Sequence, residues 1–217
     1  MYFLLFIAEI IILFFLSRKI IFGVMRFIYS VTKSERSTDI IYAILFLPGT
    51  FFHEAAHFLM ALFLLVPVGN IELMPKREGD SLKLGSVPIG KTDPIRRMLV
   101  GAAPLIFGIL AILLGLYFAI SRGMLPGGIW INLTAIYLIF QIGNTMFMSK
   151  KDTEGMWVAV FLFVIIFAVF YFLGVSLSIQ ESTNEIINNV LKQSVIYLSI
   201  PIAIDIAILL LLRLNRR

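Results

Sequence analysis

The sequence predicts an all-α polytopic membrane protein, with about six transmembrane helices and a short β-hairpin at the membrane surface. Sixty per cent of the 217 residues are hydrophobic and 14% are charged. This balance would leave a soluble domain with too much apolar surface in water. The apolar residues also form long runs that short charged stretches separate, as loops separate membrane spans. We therefore expect one integral-membrane domain over residues 1–217.

Six apolar segments come near the ~20 residues that a helix needs to cross the hydrocarbon layer. They cover residues 2–16, 40–66, 95–120, 129–148, 156–177 and 187–212. After the first segment, the sequence predicts a helical continuation at the interface with Arg26 in water. Pro48, Pro104 and Pro201 lie inside segments, where a proline removes a backbone hydrogen bond, so we expect kinked or loosened helices there.

The connection after the second segment, residues 68–90, predicts the β-hairpin. Two short runs of alternating residues flank "KREGD", and Gly79 in that stretch can adopt the backbone angles of a tight turn. We expect this hairpin to lie at the membrane surface.

The basic residues indicate an orientation in the membrane and not a nucleic-acid partner. The formal net charge is +5, but the cations lie beside apolar segments, as charges that face anionic lipid do. With six spans, one side of the membrane collects eleven cations: Lys76, Arg77, Lys83, Lys91, Arg96, Arg97, Lys150, Lys151, Arg213, Arg216 and Arg217. The other side collects seven: Arg18, Lys19, Arg26, Lys33, Arg36, Arg122 and Lys192. We therefore expect the hairpin and both termini on the cytoplasmic side of the cell membrane.

Both histidines of the chain lie in "FFHEAAHFLM", residues 51–60. His53 and His57 are four residues apart, so on a helix their imidazoles share one face and can bind one zinc ion. Glu54 can reach a water molecule at that zinc without binding the metal, which is the position of a general base. The chain has no cysteine, which excludes thiolate ligands and disulfides.

The alternative to a metal site is an apolar helix that carries this pattern by chance. That alternative must place two imidazoles and a carboxylate midway along an apolar segment, where a charged group costs roughly 2.5–3.5 kcal/mol to insert. Haem is disfavoured, because two histidines on one helix face cannot bind both sides of a single iron. The membrane setting therefore favours a functional metal site.

A catalytic zinc needs a third protein ligand and an open position for water. Four carboxylates remain as candidates after those in connections and at membrane ends are set aside: Glu9, Asp152, Glu154 and Asp205. The stretch "QIGNTMFMSKKDTEGMW" places polar groups between two apolar spans, and a break of this kind at membrane depth lines a cavity or is buried in protein. This favours Asp152, and the alternative is a solvated turn in which Asp152 pairs with Lys150 or Lys151.

The order of these features resembles the site-2 protease family of intramembrane zinc metallopeptidases. A "HEAAH" helix is followed by a hairpin, and Asn144 then precedes Asp152 by eight residues, as in the family's Asn-x-x-Pro-x-x-x-x-Asp-Gly motif. This chain departs from the motif at the proline and at the final glycine, where it has Phe147 and Thr153. The resemblance covers roughly residues 40–160.

The resemblance implies one zinc ion per chain, bound by His53, His57 and Asp152, with Glu54 as the catalytic acid and base. Asn144 would contact the substrate or the developing oxyanion. The implied reaction is hydrolysis of a peptide bond within or near a transmembrane segment of a protein substrate. The alternatives are another intramembrane HExxH enzyme, such as a prenyl-protein endopeptidase, and a membrane protein that binds metal without catalysis.

Overall fold

The computed structural model describes residues 2–78, 81–124, 127–147 and 181–214. Within these ranges the chain forms six helices and one two-stranded antiparallel sheet. The helices are α1 (Tyr2–Thr32), α2 (Glu35–Leu45), α3 (Leu47–Phe63), α4 (Pro94–Ser121), α5 (Ile129–Thr145) and α6 (Glu181–Leu214). The strands are β1 (Lys76–Glu78) and β2 (Ser81–Lys83), with Arg77 opposite Leu82. The helical class and the hairpin are confirmed.

Two of the described helices are long and apolar enough to cross a membrane, namely α4 and the part of α6 from Ile187 to Arg213. Helices α2 and α3 form a third candidate span if the two are counted together. These helices indicate an integral membrane protein. Helix α5 has only 17 residues, and α1 carries charged residues along its length. The predicted span 156–177 lies outside the described residues.

Helix α1 is continuous, where the sequence predicted a short span followed by an interfacial segment. It runs over 31 residues and ends at Thr32. Lys33 then adopts a left-handed conformation with φ of 52°, which stops the helix. Ser34 caps α2, because its hydroxyl oxygen accepts a hydrogen bond from the backbone N–H of Ser37.

The predicted second span is broken in two, with a bend of 67° between α2 and α3. Pro48 lies in the first turn of α3, where its missing N–H cannot continue the hydrogen bonds of the preceding helix. The carbonyl of Leu45 at the break accepts hydrogen bonds from the Tyr137 hydroxyl at 2.9 Å and the Gln141 amide at 2.8 Å, both on α5. By contrast, α4 and α6 continue through Pro104 and Pro201.

Helices α1 and α6 run in the same direction. The earlier part of α1 and the earlier part of α6 share one apolar cluster, which includes Leu13 and Leu198. The later parts share a second cluster, where Ile20 and Val24 are packed with Leu209 and Leu212. The amino end of α1 and the carboxyl end of α6 therefore lie at opposite ends of the bundle.

This arrangement corrects the orientation derived from charge counting. The count placed Arg213 on one side of the membrane and Arg18, Lys19 and Arg26 on the other. In the structure these four residues line the same cavity between α1 and α6. The count assumed six alternating crossings, which would make α1 and α6 antiparallel, whereas they are parallel.

The predicted hairpin belongs to a longer paired segment, residues 68–89, which we call the ribbon. Isolated bridges between Val68 and Ile89 and between Glu72 and Ser86 extend the pairing beyond β1 and β2.

The ribbon lies along α3 and α2. At its base, Val68 and Ile89 are packed with Ala61, Val66 and Val100. Nearer the tip, Leu84 joins the cluster of Tyr42 and Phe46, and Arg77 forms ion pairs with Asp39 and Glu35 of α2 at 2.7 Å. The ribbon therefore covers the helix that carries the predicted site.

Candidate metal centre

Helix α3 presents the three residues of the predicted motif on its buried side. The exposed fractions of His53, Glu54 and His57 are 2%, 6% and 6%. Residues four apart lie on one helix face because the helix has 3.6 residues per turn, so both imidazoles are on the same face, as predicted. Helix α4 contacts His57 and the ribbon contacts Glu54.

The two imidazoles converge through the same ring nitrogen. The Nε2 atoms of His53 and His57 are 3.2 Å apart, and the ring planes are nearly perpendicular at 85°. Two nitrogen ligands of a tetrahedral zinc ion, each at its usual bond length, would be about 3.3–3.4 Å apart. The separation therefore fits joint zinc binding, and it also fits a direct N–H···N hydrogen bond between the rings.

The second nitrogen of His57 is held by the backbone of α4. His57 Nδ1 lies 2.7 Å from the carbonyl oxygen of Val100, and since a carbonyl can only accept, Nδ1 carries the hydrogen. In a regular helix that carbonyl would accept the N–H of residue 104, which here is Pro104 and has none. Pro104 therefore leaves the Val100 carbonyl for His57, and the lone pair of the neutral ring is directed to Nε2.

Glu54 is covered by the ribbon at a position where only glycine fits. A Cβ atom at Gly85 would lie 2.9 Å from the Cγ atom of Glu54 and 3.0 Å from the Cγ2 atom of Thr50. It would also lie 3.1 Å from the carbonyl oxygen of Glu72 on the opposite side of the ribbon. The ribbon backbone thus lies directly against the side chain of the predicted general base.

Helix α5 approaches α3 one turn before the histidines. A Cβ atom at Gly49 would lie 2.6 Å from Cγ2 of Thr145 and 2.8 Å from Oε1 of Gln141. The Thr145 hydroxyl is 3.1 Å from the carbonyl oxygen of Gly49. The side chains of Gln141 and Thr145 are fully buried, so the end of α5 is held close to α3 at Gly49, one helical turn before His53.

Asn144 faces α6 and forms a pair with Asp205. The side-chain amide of Asn144 donates to Asp205 Oδ1 at 2.7 Å and to the carbonyl oxygen of Phe140 at 3.0 Å. Asn144 and Asp205 are both completely buried. The predicted contact of Asn144 with substrate stays a prediction, and the structure adds Asp205 as its neighbour.

No group of three or more acidic or histidine side chains with the proximity of metal ligands occurs among the described residues. Glu9 and Asp205, two of the four candidates for the third ligand, therefore do not join His53 and His57. The other two candidates, Asp152 and Glu154, lie outside the described residues.

Sequence reasoning missed two parts of this site, the Val100 carbonyl and Gly85. Pro104 carried a signal for the first, since a proline inside a helix always leaves one carbonyl without its helical donor. No signal marked Gly85, because its contact with Glu54 depends on the path of the ribbon.

The site thus combines two converging imidazoles, a backbone carbonyl that orients one of them and a buried carboxylate beside them. No protein-family model, curated protein or solved structure matches the chain.

Proposed function

We propose that the protein is an intramembrane zinc metalloprotease that hydrolyses a peptide bond within or near a transmembrane segment of a membrane-protein substrate. The observation that carries this proposal is the buried pair of Nε2 atoms, 3.2 Å apart, beside a buried carboxylate on a helix of an apolar chain. Charged and metal-binding groups are expensive at membrane depth, and they are retained there for function.

The proposed ligands are Nε2 of His53, Nε2 of His57 and the carboxylate of Asp152. The contact of the first two with each other fits zinc, and the contact of His57 Nδ1 with Val100 is the support that zinc-binding histidines usually have. When bound, zinc supplies a Lewis acid that polarises the substrate carbonyl.

The position of α5 supports Asp152 as the third ligand. Thr145 contacts Gly49, which is one helical turn before His53. Asp152 is seven positions after Thr145, and an extended chain of that length reaches up to about 25 Å. Asp152 is therefore within reach of the histidine pair.

Glu54 is proposed to accept the proton of the attacking water and to deliver it to the leaving amine. Its burial removes competing bulk water, which strengthens the electrostatic interactions at the reacting atoms. Gly85 lets the ribbon backbone lie close to the side chain of Glu54. An extended substrate segment is proposed to pair with the ribbon at this place.

A path for water is proposed along the polar side chains that face the start of α3. Thr50 Oγ1 and Gln141 Oε1 are buried and have no hydrogen-bond partner among the described residues. Buried polar atoms of this kind usually bind ordered water. Thr50 lies one turn before Glu54, so water bound there would be close to the proposed base.

The proposed location is the cell membrane, with the active site opening toward the cytoplasm. The end of the bundle at which the cations of α1 meet Arg213 of α6 is proposed as the cytoplasmic end, by the preference of basic residues for that side. This retains a cytoplasmic carboxyl end for α6 and places the amino end of α1 on the opposite side.

Metal analysis and cleavage assays test the proposal together. Purified wild-type protein is expected to contain one zinc ion per chain, and the His53→Ala variant is expected to lose it. The Glu54→Gln variant is expected to retain the zinc, while its cleavage of a membrane-spanning substrate in liposomes falls about 10²–10⁴-fold. Wild type without zinc would refute the proposal and would favour a direct hydrogen bond between the imidazoles. Cleavage of prenylated peptides with no activity on membrane-spanning substrates would favour the prenyl-protein endopeptidase.

A further inference from the structure

A cavity of about 310 Å³ between α1 and α6 is lined by four cations and an apolar floor. The cations are Arg18, Lys19 and Arg26 of α1 and Arg213 of α6. All four side chains are exposed, and none forms an ion pair with another described residue. Four cations that line one cavity give it a positive potential, which favours the binding of an anion there.

The floor of the cavity is apolar and suits an acyl chain. Phe22, Leu209 and Leu212 line it together with Gly23. A Cβ atom at Gly23 would lie 3.0 Å from the Cδ1 atom of Leu212, so the glycine lets the two helices approach closely and leaves a groove above their contact. Phe22 is 73% exposed beside this groove.

The cavity lies at the end of a candidate membrane span, which is the level of the lipid headgroups. Arg213 is the last residue of the candidate span Ile187–Arg213, and Arg18 and Lys19 interrupt the apolar sequence of α1 at the level of that end. Basic pockets between helices at the boundary of the hydrocarbon layer bind anionic phospholipids.

We propose that this cavity binds one anionic phospholipid, with its phosphate among Arg18, Lys19, Arg26 and Arg213 and an acyl chain along Phe22 and Leu209. The site is independent of the metal centre, because its residues belong to α1 and α6 and include no part of the HEAAH helix. A bound lipid would hold together the two parallel helices at the end of the bundle where their charges repel.

Native mass spectrometry of the full-length protein in detergent, titrated with phosphatidylglycerol or phosphatidylcholine, tests the proposal. Wild type is expected to retain one phosphatidylglycerol in preference to phosphatidylcholine. The double variant Arg26→Gln, Arg213→Gln is expected to bind phosphatidylglycerol about 25-fold more weakly, because each cation near an anionic headgroup contributes roughly a factor of five. The matched control Arg122→Gln, Lys192→Gln removes the same charge from exposed positions outside the cavity and is expected to bind as wild type does.

Two further measurements separate a lipid site from other anion sites. Phe22→Ser keeps all four cations and removes part of the apolar wall, and it is expected to weaken phosphatidylglycerol binding severalfold. Inorganic phosphate in large excess is expected to leave the bound lipid in place. The proposal would be overturned if the control variant lost phosphatidylglycerol binding as the double variant does, or if wild type bound phosphatidylcholine equally well. It would also be overturned if Phe22→Ser bound phosphatidylglycerol as wild type does, or if phosphate displaced the lipid.

Discussion

His57 on α3 contacts the backbone carbonyl of Val100 on α4 at 2.7 Å, across 43 residues of sequence. The contact exists because Pro104, one turn further along α4, provides no N–H for that carbonyl. Helices α3 and α4 are thereby joined at Nδ1 of His57, and the ring is held with its Nε2 atom toward His53. A proline in α4 thus sets which ring nitrogen of His57 on α3 carries the hydrogen.

Replacing Pro104 with alanine is expected to weaken zinc binding about 10–100-fold, the range found when a partner of a metal-binding histidine is lost. The alanine restores an N–H at position 104, which competes with His57 for the Val100 carbonyl. Chelator competition measures the affinity, and the ¹⁵N chemical shifts of His57 in metal-free protein should report a changed tautomer. Pro201→Ala is the control, since Pro201 also lies inside a helix, α6, and contacts Gly143. Unchanged shifts in Pro104→Ala would contradict this role.

Replacing Gly85 with valine is expected to abolish cleavage while zinc is retained. The new side chain would meet Glu54, Thr50 and the backbone of Glu72 at 2.9–3.1 Å, which forces the ribbon away from the proposed base. Gly115→Val on α4 is the control, because a Cβ atom there meets nothing within 4 Å. Full activity in Gly85→Val would show that the position of the ribbon does not matter for the reaction.

Asp152→Ala is expected to reduce the zinc content of the purified protein to the level of His53→Ala. Glu154→Ala is the matched control, because it removes a carboxylate two residues away in the same stretch. Inductively coupled plasma mass spectrometry gives the zinc content of each variant. Loss of zinc in Glu154→Ala but not in Asp152→Ala would transfer the third ligand to Glu154.

Asp205→Ala is expected to destabilise the protein by about 1–3 kcal/mol, because the buried amide of Asn144 loses a partner. Asp205→Asn keeps an oxygen acceptor at the same place and is expected to lose less. Thermal unfolding in detergent measures both, and both variants should retain zinc. A loss of zinc in Asp205→Asn would mean that this residue supports the metal centre.

Local features of the fold were predictable because they depend on neighbouring residues. The spacing of His53 and His57 predicted a shared helix face, Pro48 predicted an interruption close to the observed break, and the turn around Gly79 predicted the two strands that flank it. Arrangements that depend on distant residues were not predictable. Nothing in the apolar segments indicates that α1 and α6 run in parallel, and nothing near Gly85 indicates that it touches Glu54.

The break between α2 and α3 leaves the HEAAH helix with only 17 residues, a length of about 25 Å at the usual helical rise. The hydrocarbon core of a typical bilayer is about 30 Å thick. A span shorter than the core creates a hydrophobic mismatch, which thins the surrounding bilayer. His53 is the seventh residue of this short helix, about 9 Å along it from Leu47, and α3 forms a candidate span only together with α2. Where α3 itself lies across the hydrocarbon core, we expect bilayer thickness to influence how readily water reaches the histidines.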